Sequence, residues 1–121
     1  MTYPLVSVAL GGALGATFRY LVGLAMMRDG FPLAVLTVNV IGSFVMGLGT
    51  VLLARMGLPH WQPFLLTGVL GGFTTFSAFS LETLTLVERG QVGMALLYVA
   101  LSVCLSLLAL ATGLFIARGL T

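Results

Sequence analysis

The sequence has very little charge and no lysine. Only 7% of its 121 residues are charged, as five arginines and three acids, whereas 60% are hydrophobic. A soluble domain has about a quarter of its residues charged, so this composition excludes an ordinary water-soluble fold. Five scattered arginines are also too few for a nucleic-acid surface or a polybasic lipid-headgroup site. The mean hydropathy of +1.19 indicates an integral membrane protein in contact with the lipid bilayer.

Residues that carry chemistry are equally scarce. The single cysteine, Cys104, lies in an apolar run, where a thiol most often packs as a small hydrophobic group. The single histidine, His60, has no Cys, Asp or Glu nearby with which to share a metal, and is predicted to be an exposed loop residue. Glu82 and Glu88 are the only carboxylates near a hydrophobic span, so neither paired acids nor a Ser-His-Asp set is present. The sequence therefore argues against an enzyme.

Four hydrophobic runs fill most of the chain. A bilayer core of about 30 Å requires about 20 apolar residues per helix, and punctuated loops separate runs of that length. The sequence predicts an all-α membrane protein with one transmembrane domain over 1–121. The first run lacks a basic segment and is too long for a signal-peptide core, so it is predicted to be a retained helix. The predicted spans are 4–26, 32–54, 62–87 and 91–117.

The arginines do not specify an orientation in the membrane. With the N-terminus inside, Arg55 and Arg118 lie inside while Arg28 and Arg89 lie outside, so the usual inside excess cancels. Two explanations remain open at this point. Either so few charges make the rule uninformative, or the chain inserts both ways and forms a dimer of oppositely oriented copies.

Polar residues in the first two spans recur at helical spacing. Gly11, Gly15 and Arg19 share one face of the first helix, which would bring Arg19 into a close helix interface unless its side chain extends to the headgroups. Asn39 and Ser43 share a face of the second helix. Asn39 is then either a functional hydrogen-bond donor or a residue that only holds the bundle together through an interhelical hydrogen bond.

The third span has the most unusual local sequence, GVLGGFTTFSAFS at 68–80. Adjacent glycines followed by hydroxyl residues favour an unwound segment at about 71–75, which is tolerated in a membrane only where protein buries it or it lines a cavity. Such a break in the third helix would free carbonyl groups to bind a cation and amides to face an anion. The alternative is a continuous glycine-rich helix whose hydroxyls bond to their own backbone.

The fourth span carries hydroxyl groups at every fourth position. Tyr98, Ser102 and Ser106 therefore lie on one face of the helix. A serine seam often only tightens helix packing, but three hydroxyls in register favour a polar track.

Three segments together resemble the Fluc (CrcB-type) fluoride channels. They are 11–20 (GGALGATFRY), 37–44 (TVNVIGSF) and 71–79 (GGFTTFSAF), and the likeness in order and spacing covers essentially the whole chain. The resemblance implies an antiparallel, dual-topology homodimer with two fluoride pores and a structural sodium ion (Na+) on its two-fold axis. It also implies passive fluoride export across the inner or plasma membrane, which protects the cell from fluoride toxicity.

The resemblance also assigns individual residues by motif position. Arg19 and Glu82 correspond to vestibule residues, and the backbone carbonyls of Gly71 and Thr74 correspond to sodium ligands. The side chains that correspond to the fluoride pore are Asn39, Phe76, Ser77, Phe79, Tyr98, Ser102 and Ser106.

The sequence departs from the family pattern at two positions. Ala78 stands where a threonine usually precedes the second phenylalanine, and Leu110 interrupts the hydroxyl stripe. Leu110 is expected either to shorten the polar track or to shift it toward Thr112.

Two other functions are weighed against a channel. A small dual-topology coupled exporter needs a membrane-embedded carboxylate, which the first two spans lack, and a non-conducting scaffold would not need a broken helix.

Overall fold

The computed structural model describes residues 3–26 and 31–120 and is entirely helical and irregular in that part of the chain. Within these described residues, four apolar segments are long enough to cross a membrane, which confirms the predicted number of spans. They are α1 (Pro4–Ala25), α2 (Leu33–Arg55), the third span (Pro59–Glu88), which contains the helices α3 and α4, and α5 (Val92–Leu120). The predicted loop at 28–30, with Arg28, lies outside the described residues.

Proline and glycine set several of the helix boundaries. Pro4 opens α1, where the missing N–H is not needed for a helical hydrogen bond. Gly57 and Gly90 each stand two residues beyond the end of a helix, with φ of +72° and +79°. The left-handed conformation is favourable for glycine because it has no Cβ, and it ends the helix with a sharp turn.

The third span consists of several helical pieces. A 3₁₀ turn at Pro59–Trp61 leads into a π-helix at Pro63–Leu70, which continues as the short α3 (Gly71–Phe73). After two extended residues, α4 (Phe76–Glu88) completes the span.

Extended backbone in the third span is confined to two threonines. Thr74 has φ −87° and ψ 159°, and Thr75 has φ −155° and ψ 121°. The sequence placed the unwound segment at about 71–75, but the glycine pair itself is helical. Thr75 caps the following helix, since its Oγ1 accepts a hydrogen bond of 3.1 Å from the backbone N–H of Ala78. A cap of this kind stabilises a helix start by about 1 kcal/mol.

Glycines allow α1 to contact the third span backbone to backbone. A Cβ at Gly11 would collide with the Phe64 carbonyl, and a Cβ at Gly15 with the Val69 carbonyl. From the other side, a Cβ at Gly72 would lie 2.6 Å from the carbonyl oxygen of Gly12. The predicted close-approach face of α1 is therefore confirmed.

A second glycine pair joins α2 to α5. Cβ atoms at Gly47 and Gly113 would collide with the carbonyl groups of Leu110 and Phe44, respectively. The two helices run parallel, because Leu36 and Tyr98 near their starts share one buried cluster and Arg55 Nη1 donates to the Arg118 carbonyl at 3.3 Å near their ends. Arg55 and Arg118 thus lie at the same end of the bundle, as the predicted topology requires.

Candidate functional site

Asn39 is bonded to the extended segment through both ends of its amide. Its Oδ1 accepts a hydrogen bond of 2.8 Å from the Thr75 N–H, and its Nδ2 donates one of 3.1 Å to the Thr75 carbonyl. An asparagine amide carries two N–H groups, so one remains for another acceptor. Asn39 therefore fixes the break between α3 and α4 and still has a donor to offer.

A groove of about 440 Å³ opens beside this break. Of the predicted pore side chains, Asn39, Phe76, Phe79, Ser102 and Ser106 line it. Ser43, Thr74 and Thr75 are further polar residues of its wall. Two predicted pore residues, Ser77 and Tyr98, do not line it.

These two residues occupy different places in the structure. Ser77 is exposed, and its Oγ lies 3.3 Å from Thr75 Oγ1. Tyr98 is fully buried behind Phe79. Its hydroxyl lies 3.5 Å from Oε2 of Glu82, to which it donates.

Aromatic rings extend from the groove into the bundle. The ring centroids of Phe76 and Phe79 are 5.4 Å apart, and those of Phe79 and Tyr98 are 5.2 Å apart. Phe31 meets Tyr98 edge to face at 5.5 Å. Phe79 packs against the buried cluster that contains Tyr98 and Leu86, but Phe76 is 77% exposed. Core packing within one chain therefore accounts for Phe79 and not for Phe76.

Ser102 differs from most other hydroxyl residues in the spans, including the groove residue Thr74, whose Oγ1 donates to the Leu70 carbonyl at 2.9 Å. Thr17, Thr50 and Thr112, for example, donate to the carbonyl four residues earlier in their own helix. Ser102 is 94% buried, since only 6% of it is exposed, and its Oγ has no hydrogen-bond partner. Such an unpaired buried hydroxyl is costly in a membrane unless a ligand or water satisfies it.

The hydroxyl stripe on α5 ends at the groove. Leu110 lines the groove, whereas Thr112 is exposed and its hydroxyl is bonded to the Leu108 carbonyl at 2.7 Å. Thr112 does not line the groove, because a residue two positions along a helix points to a different side.

A second pocket, of about 380 Å³, contains the predicted vestibule residues. Arg19 and Glu82 both line it, together with Thr75 and Ala78. Arg19 does not extend away from the bundle, since its Nε donates a hydrogen bond of 3.1 Å to the Gly72 carbonyl. The charged residues Arg19 and Glu82 thus line this second pocket and not the groove.

Comparison with known proteins assigns the chain to the family that its sequence motifs resemble. Residues 6–114 match the family described as "CrcB-like protein, Camphor Resistance (CrcB)". The chain belongs to the CrcB family. It is 56% identical over 123 residues to a protein of Ruegeria sp. (strain TM1040), covering 98% of each chain. It is 57% identical over 120 residues to one of Roseobacter denitrificans, covering 95% of each. Both relatives are named "Fluoride-specific ion channel FluC".

In this CrcB chain, the family resemblance assigns the carbonyls of Gly71 and Thr74 to sodium. The N–H groups that would bond to these carbonyls in a continuous helix donate to other acceptors. A continuous α-helix would pair Gly71 O with the Thr75 N–H and Thr74 O with the Ala78 N–H. Instead, the Thr75 N–H donates to Asn39 and the Ala78 N–H donates to Thr75 Oγ1. Oxygen atoms freed in this way suit a hard cation, so the residues present fit a sodium site.

Side-chain metal ligands are not clustered in this CrcB chain. No group of three or more His, Cys, Asp or Glu comes together among residues 3–26 and 31–120. Sequence reasoning missed Thr75 as the residue that organises the break, because its bonds to Asn39 join spans 36 positions apart.

Proposed function

We propose that this chain is a fluoride-selective channel that exports fluoride passively across the cell membrane and so protects the cell from fluoride toxicity. The observation that carries the proposal is the groove beside the break. There an amide donor of Asn39 and the unpaired, buried hydroxyl of Ser102 meet the phenylalanine rings, and no charged residue lines the described wall. The names of the CrcB relatives support the same function and an assignment as a multi-pass membrane channel, not an enzyme.

The groove has the chemistry that fluoride requires. Fluoride is small and strongly hydrated, so a selective pore must replace its water with donors without creating a binding site too strong to leave. Neutral amide and hydroxyl groups satisfy both demands because they donate hydrogen bonds and carry no full charge. Phenylalanine rings contribute their positive edges, which can contact an anion. The first N–H groups of α4, which begins at Phe76 beside the groove, add a positive partial charge.

We infer that the working channel is an antiparallel homodimer with two pores. The groove is open along one side, and Phe76 at its edge presents 77% of its surface outside the chain. A second copy packed on this face would cover Phe76 and enclose the groove. Each copy contributes one groove, which gives two pores per dimer. The topology predicted from the sequence balances Arg55 and Arg118 on one side against Arg28 and Arg89 on the other, which supports opposite orientations.

The break in the third helix would also serve the dimer through sodium. We propose that the carbonyls of Gly71 and Thr74 from both copies hold one Na+ where the two breaks meet. When bound, the ion offsets the partial negative charge of these carbonyls in a place that water does not reach. The hydrogen bond from the Thr75 N–H to Asn39 occupies the donor that Gly71 O would have in a continuous helix.

Purified protein in liposomes tests the proposed function. We expect rapid fluoride efflux and chloride efflux at least about 100-fold slower, which corresponds to a barrier difference of about 2.7 kcal/mol. A fluoride electrode and a chloride electrode measure the two rates, with a potassium ionophore to balance the charge.

Protein-free liposomes and an imposed proton gradient are the controls. Fluoride efflux should be the same with and without the gradient, because a pore couples no second ion. Equal rates for the two anions would contradict a selective channel, whereas efflux that needs the gradient would favour the coupled exporter.

Dual orientation predicts how single cysteines react from one side of the membrane. In a Cys104→Ala background, His60→Cys places a thiol in the 3₁₀ turn that opens the third span, and Gln91→Cys places one directly before α5. We expect a membrane-impermeant maleimide added to intact cells to label about half of each variant, because equal numbers of chains face each way.

The two positions control for each other, since they lie at opposite ends of the bundle. A chain with one fixed orientation would be labelled almost completely at one position and almost not at all at the other. That result would rule out the antiparallel dimer.

A further inference from the structure

The parallel packing of α2 on α5 arranges the groove in layers. Gly47 contacts the backbone of Leu110. One turn earlier on both helices, Ser43 reaches the level of Ser106, and a further turn earlier Asn39 reaches the level of Ser102. All of these residues except Gly47 line the groove.

The groove layer that contains Leu110 has no hydroxyl group on α5. Leu110 cannot donate a hydrogen bond, so the stripe of Ser102 and Ser106 has no successor on that helix. The next donor beside Ser106 is on α2, where Ser43 is half-buried in the groove wall. No side-chain hydrogen bond joins Ser43 or Ser106 to another residue of the described chain, in contrast to Thr50 on the same helix as Ser43, which bonds to the Met46 carbonyl at 2.8 Å.

We propose that Ser43 is a fluoride-contacting residue of the pore and that, with Ser106, it forms a two-hydroxyl layer that replaces the hydroxyl missing at Leu110. The fluoride path then changes helix at this level, from the stripe on α5 to the face of α2 that carries Asn39. The 94% buried, unpaired hydroxyl of Ser102 one layer above indicates that this wall is built to receive a hydrogen-bonding ligand. This inference rests on the proposed channel function.

Removal of the Ser43 hydroxyl tests the proposal in the full-length dimer. We expect Ser43→Ala to reduce fluoride efflux from liposomes by about tenfold, which corresponds to about 1.4 kcal/mol of barrier. Thr50→Ala is the matched control, because its hydroxyl is exposed and satisfied by its own helix, and it should conduct like the wild type. A hydroxyl supplied one turn along α5, as Leu110→Thr in the Ser43→Ala protein, extends the stripe of Ser102 and Ser106 and should restore most of the flux.

Size-exclusion chromatography of each variant separates lost conduction from lost assembly. If Ser43→Ala does not give a dimer, Ser43→Cys keeps the volume but supplies only a weak donor and should show the same reduction. Wild-type flux in a well-assembled Ser43→Ala or Ser43→Cys dimer would overturn the proposal, as would a loss that Leu110→Thr does not restore. Failure of the channel function itself would appear differently, as a wild-type protein without selective fluoride efflux.

Discussion

Replacement of Phe79 by isoleucine is expected to give a folded dimer that conducts fluoride about 100-fold more slowly, which corresponds to about 2.7 kcal/mol of barrier. Phe79 lines the groove and lies between the rings of Phe76 and Tyr98, with centroid distances of 5.4 and 5.2 Å. Isoleucine keeps most of the side-chain volume, so the cost in unfolding free energy should be about 1.5 kcal/mol or less. It removes the positive ring edge that contacts the anion. Dimer recovery by size-exclusion chromatography and liposome efflux measure the two effects separately.

Phe115→Ile provides the control for this result. Phe115 is 78% exposed on α5 and does not line the groove, so the same substitution there should leave efflux unchanged. Near wild-type flux in a well-folded Phe79→Ile dimer would mean that Phe79 only fills the core and that the pore lies elsewhere.

Replacement of Asn39 by alanine should damage both the channel and its stability. The substitution leaves the Thr75 N–H and carbonyl without their partner, and an unsatisfied buried polar group costs about 1–3 kcal/mol. It also removes the free N–H from the groove, where a hydrogen bond to a charged ligand contributes about 1.5–3 kcal/mol. We therefore expect a lower melting temperature of the solubilised dimer together with a loss of fluoride efflux of about 100-fold.

Comparison of the two readouts separates the roles of Asn39. Thr37→Ala, on the same helix and half-buried outside the groove, measures the effect of removing a polar side chain that does not contact the break. If Asn39→Ala lowers the melting temperature but conducts normally, its amide is only an interhelical tie, and the groove needs a different donor.

The four spans could be predicted from the sequence because hydropathy depends on composition alone. The glycine face of α1 was also predictable, since Gly11 and Gly15 recur at helical spacing. The partner of Arg19 was not, because nothing in a periodic pattern indicates that its Nε reaches the carbonyl of Gly72, 53 positions later. The π-helix at Pro63–Leu70 was missed for a related reason, since its side chains do not differ in type from those of an α-helix.

At the candidate site, residue chemistry and family resemblance contributed different parts. Asn39 and the serines of α5 are recognisable as costly polar groups in a membrane. Phe76 and Phe79, taken alone, resemble ordinary core residues, and only the resemblance assigned them to the pore. The position of the break was predicted too broadly, because glycines permit unwinding but do not require it. Thr75 accepts hydrogen bonds from Asn39 Nδ2 and from the Ala78 N–H, and these bonds hold it as one of the two extended residues.

The glycine contacts between helices also have a consequence for how the chain assembles in the membrane. α1 packs mainly on the π-helix of the third span, and α2 packs mainly on α5, whereas α1 and α2 contact each other little although they are consecutive. Chains are made from the N-terminus, so each of the first two helices enters the bilayer before its own partner exists. α1 must wait for the third span, and α2 must wait for the last helix. We therefore expect a ribosome-bound intermediate that contains only the first two helices to lack stable helix pairing, and the bundle to form late, once synthesis of α5 is complete.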